Sequence, residues 1–185
     1  MSDVGYSDLL LKKINYINTF YHQEPRFDIT APLSPKLEGT LDFLISTDVF
    51  EHISPPIALG FENALRLLKS TGVFIFTAPF HLEDKTFEHF PELYKYEIVN
   101  QNGKAPFLKN MTRDGREQIF ENLVFHGGSG STLEMRIFSK SGLLYELERS
   151  GFGSIKFYSE PCWEFGVYWP EQWSLPMTAR PAHRA

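Results

Sequence analysis

Two carboxylates and a histidine stand within five residues in Asp48-Val49-Phe50-Glu51-His52, and further histidines stand at positions 81 and 126. Carboxylates accept hydrogen bonds from hydroxyls and amines. Histidine, with a pKa near neutrality, can take a proton from a reacting oxygen or nitrogen. His81 is the first candidate for such a base, with His126 and His52 behind it. Glu51 and His52 have an alternative role in holding the turn into a helix start, where negative charge is favourable. A further acid, Asp28 in Phe27-Asp28-Ile29-Thr30, reads either as a turn-forming residue before Pro32 or as an acceptor for an amine.

Other clusters point away from other chemistries. His81, Glu83, Asp84, Glu88 and His89 fit no compact ligand spacing, such as two histidines one helical turn apart, so no metal site is expected. The run His126-Gly127-Gly128-Ser129-Gly130-Ser131 offers backbone amides that bind anions in such loops. It lacks the Lys-Ser/Thr ending of a nucleotide loop and reads as a hinge. Cys162 is the only cysteine, which precludes an internal disulfide and fits a reducing compartment, so the cytoplasm is the expected location.

Net charge −5 and pI near 5.7 oppose a broad phosphate-neutralising surface, so no nucleic-acid partner is expected. No apolar run approaches the roughly 18 residues of a membrane span, and the N-terminus lacks the basic and apolar regions of a signal peptide. A chain of 185 residues, 42% apolar and 22% charged, is expected to form one domain.

The elements that must position these residues follow from hydrophobic spacing. Leu41 to Ser46 is an apolar strand broken only by Asp42, the pattern of a central strand. Ser54 as N-cap and Pro55 as first helical residue open a helix whose Ile57, Phe61, Ala64, Leu65 and Leu68 fall on one face. Ser70-Thr71-Gly72 closes it, and Val73 to Thr77 is the next strand. A strand, helix and strand of this length make a right-handed βαβ unit with parallel strands.

Upstream, a helix is expected around Ser7 to Ile14, a β-rich run at Tyr16 to His22 and an extended piece at Arg26 to Thr30. Downstream, a segment from about 81 to 131 reads as an insertion. In it Tyr94, Tyr96 and Ile98 alternate with polar residues, Asn102-Gly103 turns, and Lys104 to Lys109 returns as the partner strand. A helix is expected from Arg116 to Leu123. Thr132 to Phe138 is strand-like, Ser139 caps a helix carrying Leu143, Leu144 and Leu147, and Gly153 to Tyr158 is a final strand. In the tail from 160 to 185, Trp163, Phe165, Val167 and Trp169 fall on one side of an extended chain, as a satellite core or a wall for stacking on sugars and rings.

Four of these pieces, in order, resemble a known family. Leu41 to Ile53 looks like the fourth-strand motif of the class I S-adenosylmethionine-dependent methyltransferases, in particular the bacterial type 11-like group. Leu67-Leu68-Lys69-Ser70-Thr71-Gly72 resembles the family's leucine-lysine-proline-glycine-glycine helix end. Val73 to Phe80 is similar to its fifth strand, and Phe138-Ser139 through Gly151-Phe152 to its late helix and glycine-phenylalanine turn. Asn18 to His22 and Trp173 to Pro176 resemble a bacterial subgroup associated with surface-polysaccharide genes.

The resemblance implies an α/β fold, a Rossmann-like methyltransferase sheet that is mostly parallel with helices on both faces. It implies S-adenosyl-L-methionine as cofactor and methyl transfer to an oxygen or nitrogen of a small-molecule acceptor, with a sugar or glycan precursor as one candidate. By the same analogy Asp28 and Ile29 stand at the adenine, Thr47, Asp48 and Val49 face the cofactor, and Glu24 substitutes for the family's ribose acid. The glycine-rich loop that opens the family's sheet is missing from Met1 to Gly5, leaving Ser2 and Asp3 as its remnant. That departure supports an alternative, a non-catalytic methyltransferase-like fragment serving as a binding or assembly module.

Overall fold

The computed structural model describes residues 4–101, 103–126, 132–169 and 172–182. The chain begins with α1 (Val4–Leu11), β1 (Leu41–Thr47), a 3-10 turn (Phe50–His52), α2 (Ala58–Leu67) and β2 (Leu68–Thr77). There follow β3 (Phe80–His81), β4 (Phe87–Glu88), β5 (Lys95–Val99), β6 (Phe107–Met111), β7 (Glu117–Phe120), β8 (Phe125–His126), β9 (Thr132–Leu133) and β10 (Arg136–Ser139). The chain closes with α3 (Lys140–Arg149), β11 (Phe152–Phe157), a 3-10 turn (Trp163–Phe165) and β12 (Met177–Pro181).

The main sheet has the order β1-β2-β12-β11. β1 and β2 pair parallel from Phe43 opposite Val73 to Thr47 opposite Thr77, as the crossover through α2 requires. β12 runs antiparallel between β2 and β11, with Met177 opposite Phe76 and Phe157. Alternation decides which residues face inward. Phe74, Phe76, Met177 and Ala179 are all buried, and Phe74 stacks on Phe76 with ring centroids 4.4 Å apart. Phe61 and Ala64 of α2 and Leu143 and Leu147 of α3 complete the same cluster. Each large apolar side chain so buried contributes about 1.5–3 kcal/mol.

Helices on both sheet faces were expected, yet α2 and α3 touch each other and share the face of Phe74 and Phe76. The opposite face carries Phe43, Ile45, Val73 and Ile75 half-buried or exposed, alongside Thr178 and Arg180. A second, smaller cluster joins Phe90, Leu93 and Leu108 to Leu133 and Met135.

Several local expectations give way for identifiable reasons. α2 begins at Ala58 rather than at Pro55, because Pro56 holds the residue before it out of helical conformation; the Ser54 hydroxyl pairs instead with Tyr96 Oη at 2.8 Å. β2 starts at Leu68, so the residues expected to end the helix already belong to a strand. Tyr16 to His22 forms no strand and makes one isolated bridge, Phe20 to Arg26. α1 lies earlier than expected, ending at Leu11.

β5 and β6 pair antiparallel from Lys95 opposite Met111 to Val99 opposite Phe107. The expected helix at Arg116 to Leu123 is strand β7, whose Glu117–Phe120 extends the same sheet on β6. Asn110 drives this choice: fully buried, it donates to Gln118 Oε1 at 2.8 Å and to Glu92 O at 3.0 Å, and accepts from Tyr94 N. The run Thr132 to Phe138 is two short strands rather than one, interrupted at Glu134 and Met135. The stretch expected to be extended, Trp163 to Trp169, opens instead with a 3-10 turn closed by left-handed Gly166, and Trp163, Phe165 and Trp173 remain more than half exposed. Trp169, half-buried, packs on the main core cluster.

Candidate functional site

Two polar clusters sit where the strands end. The first lies at the carboxyl ends of β1 and β2, the side on which open α/β sheets bind ligands. Asp48, the residue after β1, has φ +48°, a left-handed conformation that aspartate tolerates better than most residues. Its backbone N–H donates to Thr77 O and Thr77 Oγ1, both at 3.1 Å. Its carboxylate Oδ1 accepts from Thr77 Oγ1 and Ser174 Oγ, each at 2.9 Å. The carboxylate is therefore held by the end of β2 and by the segment entering β12. Thr47 is half-buried beside it, whereas Val49 packs against the core cluster.

Asp28 makes a local turn, its Oδ1 accepting from Thr30 N at 2.9 Å and Thr30 Oγ1 at 2.7 Å. Asn63 of α2 anchors this loop by donating from Nδ2 to Ile29 O (2.8 Å) and Ala31 O (3.0 Å), and Ile29 packs on the core. Ser2 and Asp3 lie outside the described residues.

The second cluster brings together residues from three distant segments. Glu51 is fully buried in the 3-10 turn, and neither carboxylate oxygen has a hydrogen-bond partner. His52 Nε2 lies 3.5 Å and His126 Nδ1 3.9 Å from Glu51 Oε1. The two imidazoles meet edge to face at 4.7 Å. His52 Nδ1 is 2.8 Å from Leu133 O, and His126 Nε2 is 2.7 Å from Glu134 Oε2. Glu134 Oε1 in turn faces His89 Nε2 at 2.8 Å.

Burial pushes the Glu51 carboxyl up to about 8, with the negative charges of Asp48 and Glu134 adding to it. Burial also pulls His52 below its ordinary value, as does neighbouring His126. Arg136, 1% exposed, fixes the turn that carries this pair: Nη1 donates to Phe50 O (3.1 Å) and Ile53 O (2.6 Å), while Nε meets Glu88 Oε1 at 2.8 Å. Gly60 of α2 lets the helix approach the same turn, since a Cβ there would stand 2.9 Å from Ile53 Cδ1 and 3.2 Å from Phe50 Cε1.

Of the three histidines singled out in the sequence, His52 and His126 are thus neighbours. His81 stands apart on β3 beside Ser139, its Nδ1 accepting from Glu83 N at 3.2 Å. Glu134 and Arg136 escaped the sequence reading as site residues, and His89 entered it only in the acidic and histidine cluster that fits no ligand spacing. The available signal was two charges at alternate positions, Glu134 and Arg136, inside an otherwise apolar strand-like run; charges there need buried partners. No helix among the described residues is long and apolar enough to cross a membrane.

No protein-family model matches the sequence, and no curated protein matches it. Among solved structures the chain is similar to an S-adenosylmethionine-dependent methyltransferase from Clostridium acetobutylicum, at 14% identity and TM-score 0.45 over 85% of this chain and 64% of that one. It is similar also to the 1,6-didemethyltoxoflavin-N1-methyltransferase of Burkholderia thailandensis, at 17% identity and TM-score 0.41 over 85% of this chain and 51% of that one. A third is an S-adenosylmethionine-dependent methyltransferase from Mesorhizobium loti, at 14% identity and TM-score 0.44 over 84% and 68%. The chain spans about half to two thirds of the length of these proteins. With TM-scores below 0.5 the similarities assign no family, and the function rests on the residues of the site.

Proposed function

We propose that this chain is an enzyme of the methyltransferase type, moving a methyl group from S-adenosyl-L-methionine to an oxygen or nitrogen of a small molecule, with a sugar or glycan precursor as acceptor. The observation that carries the reading is Asp48: a carboxylate fixed by Thr77 and Ser174 at the carboxyl ends of a parallel strand pair, within the stretch that resembles the methyltransferase motif. Those residues fit a ligand rich in hydroxyl and amine donors, because the carboxylate is pre-oriented by two hydroxyls on one oxygen.

When bound, the cofactor would supply an electrophilic methyl on a sulfonium. Asp48 and Asp28 would accept from the ligand's donors, with Ile29, Thr47 and Val49 as neighbouring walls. The protein's main contribution is then alignment and exclusion of water, with a base needed only for a hydroxyl or amine acceptor. His81, on β3 just after β2, stays the first candidate, with His52 and His126 as alternatives. The segment from 81 to 131 and the tail would shape the acceptor site in a single domain. The exposed Trp163 and Tyr168, stacked at 5.4 Å, offer a face suited to a sugar ring.

The alternative, a non-catalytic binding or assembly module, draws support from the half-exposed apolar face at Phe43, Ile45, Val73 and Ile75. Calorimetric titration with S-adenosylmethionine and S-adenosylhomocysteine separates the two. The enzyme reading expects saturable heat with both ligands and a loss of about tenfold or more in affinity on Asp48→Ala, the scale of a charged hydrogen bond. Absence of heat with either ligand at millimolar concentration leaves only the binding module.

A further inference from the structure

We propose that Glu51, His52 and His126 form a binding site for a divalent first-row transition-metal ion. The three ligand atoms, a Glu51 carboxylate oxygen, His52 Nε2 and His126 Nδ1, lie within 4.8 Å of one another. Ligands about 2.1 Å from a common tetrahedral centre stand about 3.4 Å apart. The observed 3.5 Å and 3.9 Å from Glu51 Oε1 to the two imidazoles are close to that spacing, and the two imidazole nitrogens, within 4.8 Å of each other, draw together to close around an ion.

Hydrogen bonding around the cluster decides what the inner atoms can do. His52 Nδ1 must donate to the Leu133 carbonyl, which accepts only, and this leaves Nε2 as a bare lone pair in the neutral ring. His126 Nε2 likewise faces the Glu134 carboxylate, so its lone pair is on Nδ1. Both inner nitrogens thus face the buried Glu51 carboxyl, whose oxygens make no hydrogen bond. Facing acceptors of this kind are held together by a positive centre, either a proton on Glu51 or a metal ion, and a metal ion engages all three ligand atoms at once. Backbone carbonyl and carboxylate partners on the outer imidazole nitrogens are the arrangement that orients metal-binding histidines.

The rest of the scaffold is built to hold these positions. Met135 N donates to Glu51 O at 2.8 Å, joining the strand break at Glu134 and Met135 to the turn. Glu134 is steadied from its other oxygen by His89. Arg136 fixes the carbonyls on both sides of Glu51 and His52. Two imidazoles and one carboxylate favour zinc, cobalt, iron or nickel over calcium and magnesium, which take oxygen ligands. Three protein ligands leave a further position open, and the 30% exposure of the His126 side chain gives a path to it. No linear motif announces this site, because its ligands come from residues 51, 52 and 126.

The test uses the full chain freed of metal by a chelator, then titrated with Zn2+ by calorimetry and with Co2+ by visible absorption. One equivalent is expected, with the absorption of a low-symmetry nitrogen and oxygen Co2+ site. Proton NMR of the Co2+ form should show two exchangeable imidazole N–H resonances shifted far downfield, one from each ligating ring. Glu51→Gln and His126→Ala should each weaken binding at least tenfold, Glu134→Gln by about 10- to 100-fold through the outer shell, and exposed His22→Ala not at all. Thermal unfolding reports whether each variant is folded. Failure of the wild-type chain to bind either ion overturns the site, as does absence of the shifted imidazole resonances. Unchanged affinity in folded Glu51→Gln and His126→Ala would equally overturn it. These measurements use no S-adenosylmethionine, so their outcome is independent of the proposed methyl transfer.

Discussion

Replacing Arg136 with alanine should destabilise the protein by about 3–5 kcal/mol, the cost of removing one partner from a buried ionic network. The guanidinium is 1% exposed and makes three polar contacts: Phe50 O at 3.1 Å, Ile53 O at 2.6 Å and Glu88 Oε1 at 2.8 Å. Each carbonyl left buried without a donor costs about 1–3 kcal/mol. Glu88 contributes less, because its side chain is 31% exposed and water recovers part of the lost pairing. The stem also gives up its packing over the Phe138 ring, 5.7 Å from the guanidinium carbon. Arg136→Lys keeps the charge but cannot span three acceptors from one ammonium, so it should fall between the two.

Urea unfolding followed by circular dichroism measures all three proteins, with unchanged m values marking a true stability effect. Because the same contacts fix the turn bearing Glu51 and His52, Co2+ affinity should fall with stability in both variants. An Arg136→Ala protein within about 1 kcal/mol of wild type, inside the range of an ordinary surface substitution or slightly above it, would refute the account of Arg136 as the clamp on that turn.

Three further outcomes follow from local geometry. In metal-free protein, Glu51 binds a proton up to about pH 8 in the native state but releases it near 4.5 when unfolded, so rising pH between these values destabilises the fold. Glu51→Gln should therefore match wild type near pH 4.5 and exceed it by about 3 kcal/mol at pH 7 in urea unfolding with chelator present; parallel pH curves would show that Glu51 does not titrate this way. Ser139→Ala removes the side-chain acceptor for Gly142 N, 2.9 Å away at the start of α3, and should cost about 1 kcal/mol by the same assay. Gly142→Ala drives a Cβ into Thr86 Oγ1 and to 2.9 Å from Ser139 Oγ, an overpacking cost of about 1–3 kcal/mol that Thr86→Ala in the same chain should partly relieve.

Local pattern sufficed wherever one element's own residues decide its conformation. The apolar run at Leu41, the helical spacing through Phe61 and Leu65, and the alternation in Val73 to Thr77 specify β1, α2 and β2 and their parallel pairing. Ser139 is legible as a cap because its partner, Gly142 N, is three residues away. Asp48 is legible because a strand end is a local property.

What the sequence left open depends on partners far along the chain. Glu117–Phe120 is a strand because Asn110 and the β6 edge satisfy it, a choice its own residues do not make. Met177–Pro181, short and flanked by Pro176, becomes an interior strand only because β2 and β11 leave a gap of one strand between them. Glu51 alone reads as a helix-start acid. Only the fold, by burying it beside His126 and Glu134, turns it into an acid that holds its proton to about pH 8 and faces two imidazoles.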